Sequence, residues 1–239
     1  MAPAAVRTPA AAKSAITAVP TPSGFVALSA LNIGDLVFGS DGHPTTVLAA
    51  AESGTGTAIE FGFSDGATTL ADTEQLWLAL DAATATEGYY RGIDIATNLL
   101  MPDGTARWSV RMSAPVAYPD AGPTAVDPMT FGKELRNGLV ESESELLPYV
   151  LGTIEVRRAV LDGLHGPRQT LPASAPELAR AAYASLVRSL GGMPVVEPAG
   201  IGDRVTARFG ARRCINAATT VDHAAPGGLA VANGLTVVA

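Results

Sequence analysis

The residue best suited to covalent chemistry is Cys214, the sole cysteine, in the stretch "RRCINAATT". The thiolate is the reactive form, and Arg212 and Arg213 beside it bring positive charge that favours it. Against this stands the tendency of free cysteine to be a small buried hydrophobe. A nucleophile also needs a base. His223, in "TTVDHAAPGG", follows Asp222 and lies within ten residues of Cys214, so Cys214–His223 is the one conceivable nucleophile–base pair. His43 sits in "DGHPTT", a predicted exposed turn, and His165 follows a helix end, where a favourable dipole interaction accounts for it. The acidic run "ESESE", Glu141 to Glu145, reads as a solvated loop. No Cys/His grouping has zinc-site spacing, and there is no P-loop, dinucleotide fingerprint, GxSxG elbow or N-glycosylation sequon. Neither a metal nor a cofactor is expected, and no small-molecule substrate is evident.

The elements that must position these residues are bounded by composition. At 239 residues the chain is long enough to bury a substantial core, and 47% of it is hydrophobic against 16% charged. Much of that apolar content is alanine, so the core must come from scattered Leu, Val and Ile. The formal charge of −7, with lysine only at Lys13 and Lys133, argues against a nucleic-acid partner, which needs a basic surface. One cysteine rules out an intramolecular disulfide. No signal-peptide core and no apolar span of about twenty residues occurs, so a soluble chain off the membrane is expected.

From Thr21 onward the sequence reads as short strands divided by turns. Phe25–Leu28, Leu36–Phe38 and Thr45–Leu48 are separated by Gly34-Asp35 and by Ser40-Asp41-Gly42, where Asp-Gly permits the positive backbone angles of a tight hairpin. Ile59–Phe63 and Thr68–Ala71 repeat the device around Ser64-Asp65-Gly66, and Trp108, Val110 and Met112 alternate with Ser109 and Arg111. After the proline- and glycine-rich "YPDAGPTAVDP" the character changes, and residues from about Phe131 to Gly192 read as helical. "TIEVRRAVLDGL" is a short amphipathic helix with Ile154, Val160, Leu161 and Leu164 inward. "SAPELARAAYASLVRSLGG" has Ser174 as N-cap, Glu177 completing a capping box, a stripe of Leu178, Ala182, Leu186 and Leu190, and Gly191-Gly192 as its end. The β pattern returns at Arg204, so a β body interrupted by a helical insert is expected, its final strands pairing with the first.

These stretches resemble a known family. "PTPSGFVALSALNIGDLVFGSDGHPTTVLAA" looks like the opening of an intein, "IEFGFSDGATTLADTEQLW" is similar to the second splicing block of class 3 inteins, and "RRCINAATTVDHAAPGGLAVANGLTVV" resembles the last two blocks. The resemblance spans roughly residues 17–238 and implies the Hint horseshoe, a mainly β fold of curved antiparallel strands. In class 3 members the nucleophile is the late cysteine, matched by Cys214 and supported by a tryptophan matched by Trp77. Other parts of the pattern are missing. The alignment puts the first intein residue near Ala12, with no Ser, Thr or Cys there. Gln75 stands where the block's histidine belongs and cannot carry a proton near neutral pH. The threonine and histidine of the closing motif correspond to Val238 and Ala239, and its asparagine has no counterpart. "LPYVLGTIEVRRAVLDGLHGPRQ" is similar to the lead-in to the second LAGLIDADG helix of a homing endonuclease, with Gly166 and Pro167 around the expected acid position and Asp162 earlier on the helix. The first such helix has no recognisable match in the sequence.

The resemblance therefore implies an intein-derived protein that has lost splicing and homing. It would serve, without catalysis, as a structural or binding component of a multi-subunit assembly such as a phage virion. The expected divisions are an extended Ala/Pro-rich arm at 1–19, with Pro3, Arg7 and Pro9 as binding residues, a first Hint part at 20–122, the helical insert at 123–202 and final Hint strands at 203–239. Cys214, Trp77 and His223 would be vestiges of catalysis. The opening Met1 and arm, and the finish at Ala239, lead to the expectation of a free-standing product, cytoplasmic or virion-associated, with protein partners. The rival expectations are a class 3-like intein with residual cysteine-dependent autoprocessing, and an active intein trapped by removal of its terminal residues.

Overall fold

The computed structural model describes residues 18–27, 30–51, 55–120, 122–166, 170–197, 203–224 and 228–231. Pro3, Arg7 and Pro9 lie outside them. The fold is mainly β with a group of helices, and the chain divides into two units: Met1–Arg111 with Arg212–Ala239, and Met112–Ala211.

In the first unit, β1 (Ala18–Thr21) and β2 (Gly24–Ala27) form a hairpin, so regular structure starts inside the expected arm. Next come β3 (Leu36–Phe38), β4 (Pro44–Ala51), β5 (Thr55–Phe63) and β6 (Thr68–Asp72). The predicted turns between them are present for a local reason. Gly42 and Gly66 take φ of 78° and 76°, and the preceding Asp41 and Asp65 carboxylates accept from the amides of His43 and Ala67. β7 (Leu76–Asp81) and β8 (Thr86–Arg91) form a hairpin whose turn uses Ala85 at φ 53°, without glycine, and the sequence reading did not separate them. The short α1 (Gly92–Ala96) and β9 (Trp108–Arg111) complete the stretch before the second unit.

The second unit holds α2 (Pro128–Arg136), α3 (Glu143–Val150), α4 (Ile154–His165), the two-residue β10 (Leu171–Pro172), α5 (Glu177–Ser189), β11 (Gly192–Glu197) and β12 (Arg204–Phe209). Their core gathers Leu135, Leu164, Tyr183 and Leu186, none of them exposed. Two local expectations are corrected. "ESESE" is not a loop: Ser142 caps α3, and Glu143 and Glu145 occupy its first turn, where negative charge suits the helix dipole. Nor does Ser174 cap α5. Pro176 keeps the residue before it out of the helical region, so the helix starts at Glu177 with Pro176 as an extended N-cap and no side-chain cap. β12 pairs with β11 and β10, so this unit runs past the expected boundary at 202/203.

The chain then re-enters the first unit. β13 (Arg212–Ala224) pairs with β9 through Arg212–Cys214 and with β5 through Ile215–Ala224, and β14 (Gly228–Val231) pairs with β4. The last strands thus join the early ones. The resulting sheets run β14-β4-β3 and β6-β5-β13-β9-β7-β8, all neighbours antiparallel. Inside the larger sheet Ile59, Phe61, Phe63, Trp77, Trp108 and Ile215 form the core.

Candidate functional site

Cys214 occupies the point where β13 leaves β9 for β5. Its amide donates to Ser64 Oγ at 3.1 Å and its carbonyl accepts from Ser64 N–H at 2.9 Å, which fastens the 64–66 turn to the strand. Its neighbours Arg213 and Ile215 are 6% and 0% exposed. Successive residues of a strand face opposite ways, so the half-buried Cys214 points to the other side. Register identifies that side. Cys214 pairs with Ser109, Ser109 with Leu80, and Leu80 with Glu87, and paired residues share a face. Arg213 belongs to the opposite row, with Val110 and Ala79.

Trp77 shares the face of Ala79, two residues on. It is 3% exposed, with its ring edge-on to Phe61 at 5.1 Å between centroids. Trp77 and Cys214 therefore lie on opposite faces of one sheet and are not brought together. Nor are Cys214 and His223. Both belong to β13, and nine residues along one strand, at about 3.3 Å each, put their backbones up to roughly 30 Å apart. For His223 only the backbone is described, paired with Gly56.

The charges beside the thiol are committed elsewhere. Arg213 donates to the Asp65 carboxylate at 3.1 Å, with both side chains almost entirely buried, and its guanidinium stacks over Phe63 at 4.2 Å. Arg212 and Arg111, cross-strand partners of like charge, share the Glu87 carboxylate at 2.8 and 2.5 Å, and Arg212 also donates to Ser109 Oγ. The two guanidiniums, Arg212 first, hold the Glu87 carboxyl below its ordinary range. The expected electropositive setting of Cys214 is thus a set of ion pairs, because Arg213 is taken up by Asp65 and Arg212 and Arg111 together by Glu87.

Gln75 is 3% exposed and donates through Nε2 to the Leu76 carbonyl at 3.1 Å, while its main-chain carbonyl accepts from Gly92 N–H. His43 is exposed. His165 ends α4 as expected, yet the dipole is not what governs it. Its Nε2 meets the Tyr183 hydroxyl at 2.9 Å, and burial pulls its pKa down against the opposing pull of Asp162. No group of three or more His, Cys, Asp or Glu suited to a metal is present among the described residues.

In the second unit α4 has a partner helix the sequence did not reveal. A Cβ on Gly132 of α2 would collide with the Val160 carbonyl oxygen, and one on Gly163 of α4 with that of Met129, so the two backbones touch at a pair of glycines. Beyond the crossing, α2 is capped by Asn137 and α4 by Gly166, against which the Arg136 guanidinium lies. Two glycines, one in each of two short amphipathic segments, were the only sequence signal of this contact.

No family model matches the chain. Over 82 residues, 31% of its length, it is 38% identical to the replicative DNA helicase DnaB of Mycobacterium intracellulare, of which the match spans 14%. Among solved structures it is similar to the Msm DnaB1 intein splicing domain bound with zinc, at 35% identity over 28% of this chain and 54% of that one, with a TM-score of 0.28. It is also similar to the MchDnaB-1 intein, at 28% identity over 40% of this chain and 66% of that one (TM-score 0.31), and to the gp41-1 intein, at 20% identity over 41% and 73% (TM-score 0.31).

Proposed function

We propose that this is an intein-derived protein of the Hint type that has lost splicing and endonuclease activity and serves as a non-catalytic binding or structural component with protein partners. The observation that carries this reading is the dispersal of the splicing residues. Cys214 and Trp77 lie on opposite sheet faces, and Gln75, buried and bonded to the backbone, replaces the proton carrier the family pattern has there. Splicing needs a nucleophile, a base and a leaving-group acid within contact distance of one peptide bond.

The endonuclease reading is supported by the glycine-to-glycine pairing of α2 with α4, since the resemblance implies two helices that end side by side at a divalent metal. Loss of that activity is supported by the helix ends themselves. Asn137 and Gly166 supply no carboxylate, and metal-assisted phosphodiester cleavage depends on carboxylates there. A virion or similar assembly remains the proposed setting, on the low lysine content and the Ala/Arg bias of the chain.

One observation favours the second reading, residual autoprocessing: a free, half-buried thiol is retained at Cys214. Incubation of the purified chain with excess small-molecule thiol, followed by intact mass measurement, separates the two. An unchanged mass is expected; a product beginning near residue 12 would establish the cysteine-dependent activity instead.

A further inference from the structure

Residues 113–120, which lead from β9 towards α2, contain neither helix nor strand, and yet Val116 and Tyr118 are 3% and 7% exposed. The Val116 amide donates to the Ser189 carbonyl at the end of α5 at 2.8 Å. The Ser113 carbonyl closes against Gly191, where a Cβ would stand 2.6 Å from it and φ is +77°.

A further contact is unusual. Arg157 of α4 is 0% exposed, and its hydrogen-bond acceptors are all backbone carbonyls: Gly152 through Nε at 2.9 Å, Ser189 through Nη1 at 2.7 Å and Val116 through Nη2. Its guanidinium also stacks over the Tyr118 ring at 5.1 Å. No carboxylate forms an ion pair with it among the described residues.

We propose that residues 113–120 form a strap that opens and closes over α4 and α5 as a unit of its own, latched by the guanidinium of Arg157. The physical basis is a balance of opposing effects. Hydrogen bonds from a cation to carbonyls are stronger than neutral ones and hold the closed strap. Burying that cation without a counter-ion strips it of hydration, and burial accordingly lowers the guanidinium pKa to about 10. Lifting the strap frees Val116 and Tyr118 and lets water reach the guanidinium, so opening recovers hydration that the unfolding of an apolar element does not. The cores of α4 and α5, packed through Val160, Leu164 and Leu186, have no such recovery and stay closed.

Native-state hydrogen exchange of the whole chain tests this. The Val116 amide is expected to exchange at least about tenfold faster than the amides of Leu161 and Leu186, with little dependence on added urea, the pattern of a sub-global opening. Equal rates with equal urea dependence would overturn the proposal. In Arg157→Met, Val116 exchange should rise about tenfold again while helical circular dichroism is kept, because the latch goes but the apolar stem remains. Unchanged Val116 exchange in that variant, or loss of its helical signal, would equally overturn it.

Discussion

Replacing Trp77 separates packing from chemistry at the scale of one residue. Its indole Nε1 is buried and has no acceptor among the described residues, so the ring is held by Phe61 and Phe63 rather than by a polar partner. Trp77→Phe, which leaves only a partial void, should therefore cost about 1–2 kcal/mol, while Trp77→Ala should cost about 3–5 kcal/mol. Urea denaturation of the two variants checks this; a Phe variant as damaged as the Ala variant would mean the indole N–H is needed. His165 gives a pH prediction. Its folded pKa is lowered by burial, so its stabilising share is complete above the unfolded value of about 6.5 and is lost as pH falls through the folded one. The drop in urea midpoint between about pH 7.5 and 5 should shrink in His165→Asn, and an unaltered pH profile would count against the burial of His165 as its cause.

Elements follow the same logic with larger consequences. α2 and α4 meet where neither helix can carry a side chain, so Gly163→Ala forces apart two backbones rather than two flexible groups. A loss near the upper end of the usual 1–3 kcal/mol for overpacking is expected in the second unit's unfolding transition. A neutral result would show that the helices can slide. Hairpins and helix stripes were legible in the sequence because their causes are local. Asp-Gly turns at 41–42 and 65–66 supplied the positive φ, and Val160, Leu161, Leu164, Ala182 and Leu186 recur at helical spacing and are buried. The β7–β8 hairpin was not legible, since its turn adopts positive φ at Ala85 with no glycine to announce it. The capping box at Ser174 failed for a reason also written in the sequence, Pro176, which acts on the backbone before any side chain can.

For the whole molecule, the division into two units makes a strong demand. The second unit leaves after Arg111 and returns at Arg212, and these two residues are direct cross-strand partners. Joining them by an Asn-Gly turn in place of residues 112–211 should leave the first unit folded, with a β-type circular dichroism spectrum and a cooperative thermal transition. An insoluble or non-cooperative product would show that the first unit depends on the second for its stability.

The sequence by itself determined the class of fold, the places of most turns and helix faces, and the pattern of missing side chains at Gln75 and around Gly166, because each of these is decided by residues a few positions apart. Only the tertiary structure decided what stands next to what. Antiparallel register across β13, β9 and β7 puts Cys214 and Trp77 on opposite faces, and ion pairing with Asp65 and Glu87 takes up the arginines beside the thiol. Strand pairing over a hundred residues, and the one-residue alternation that turns a side chain to one face or the other, have no local signature in the chain.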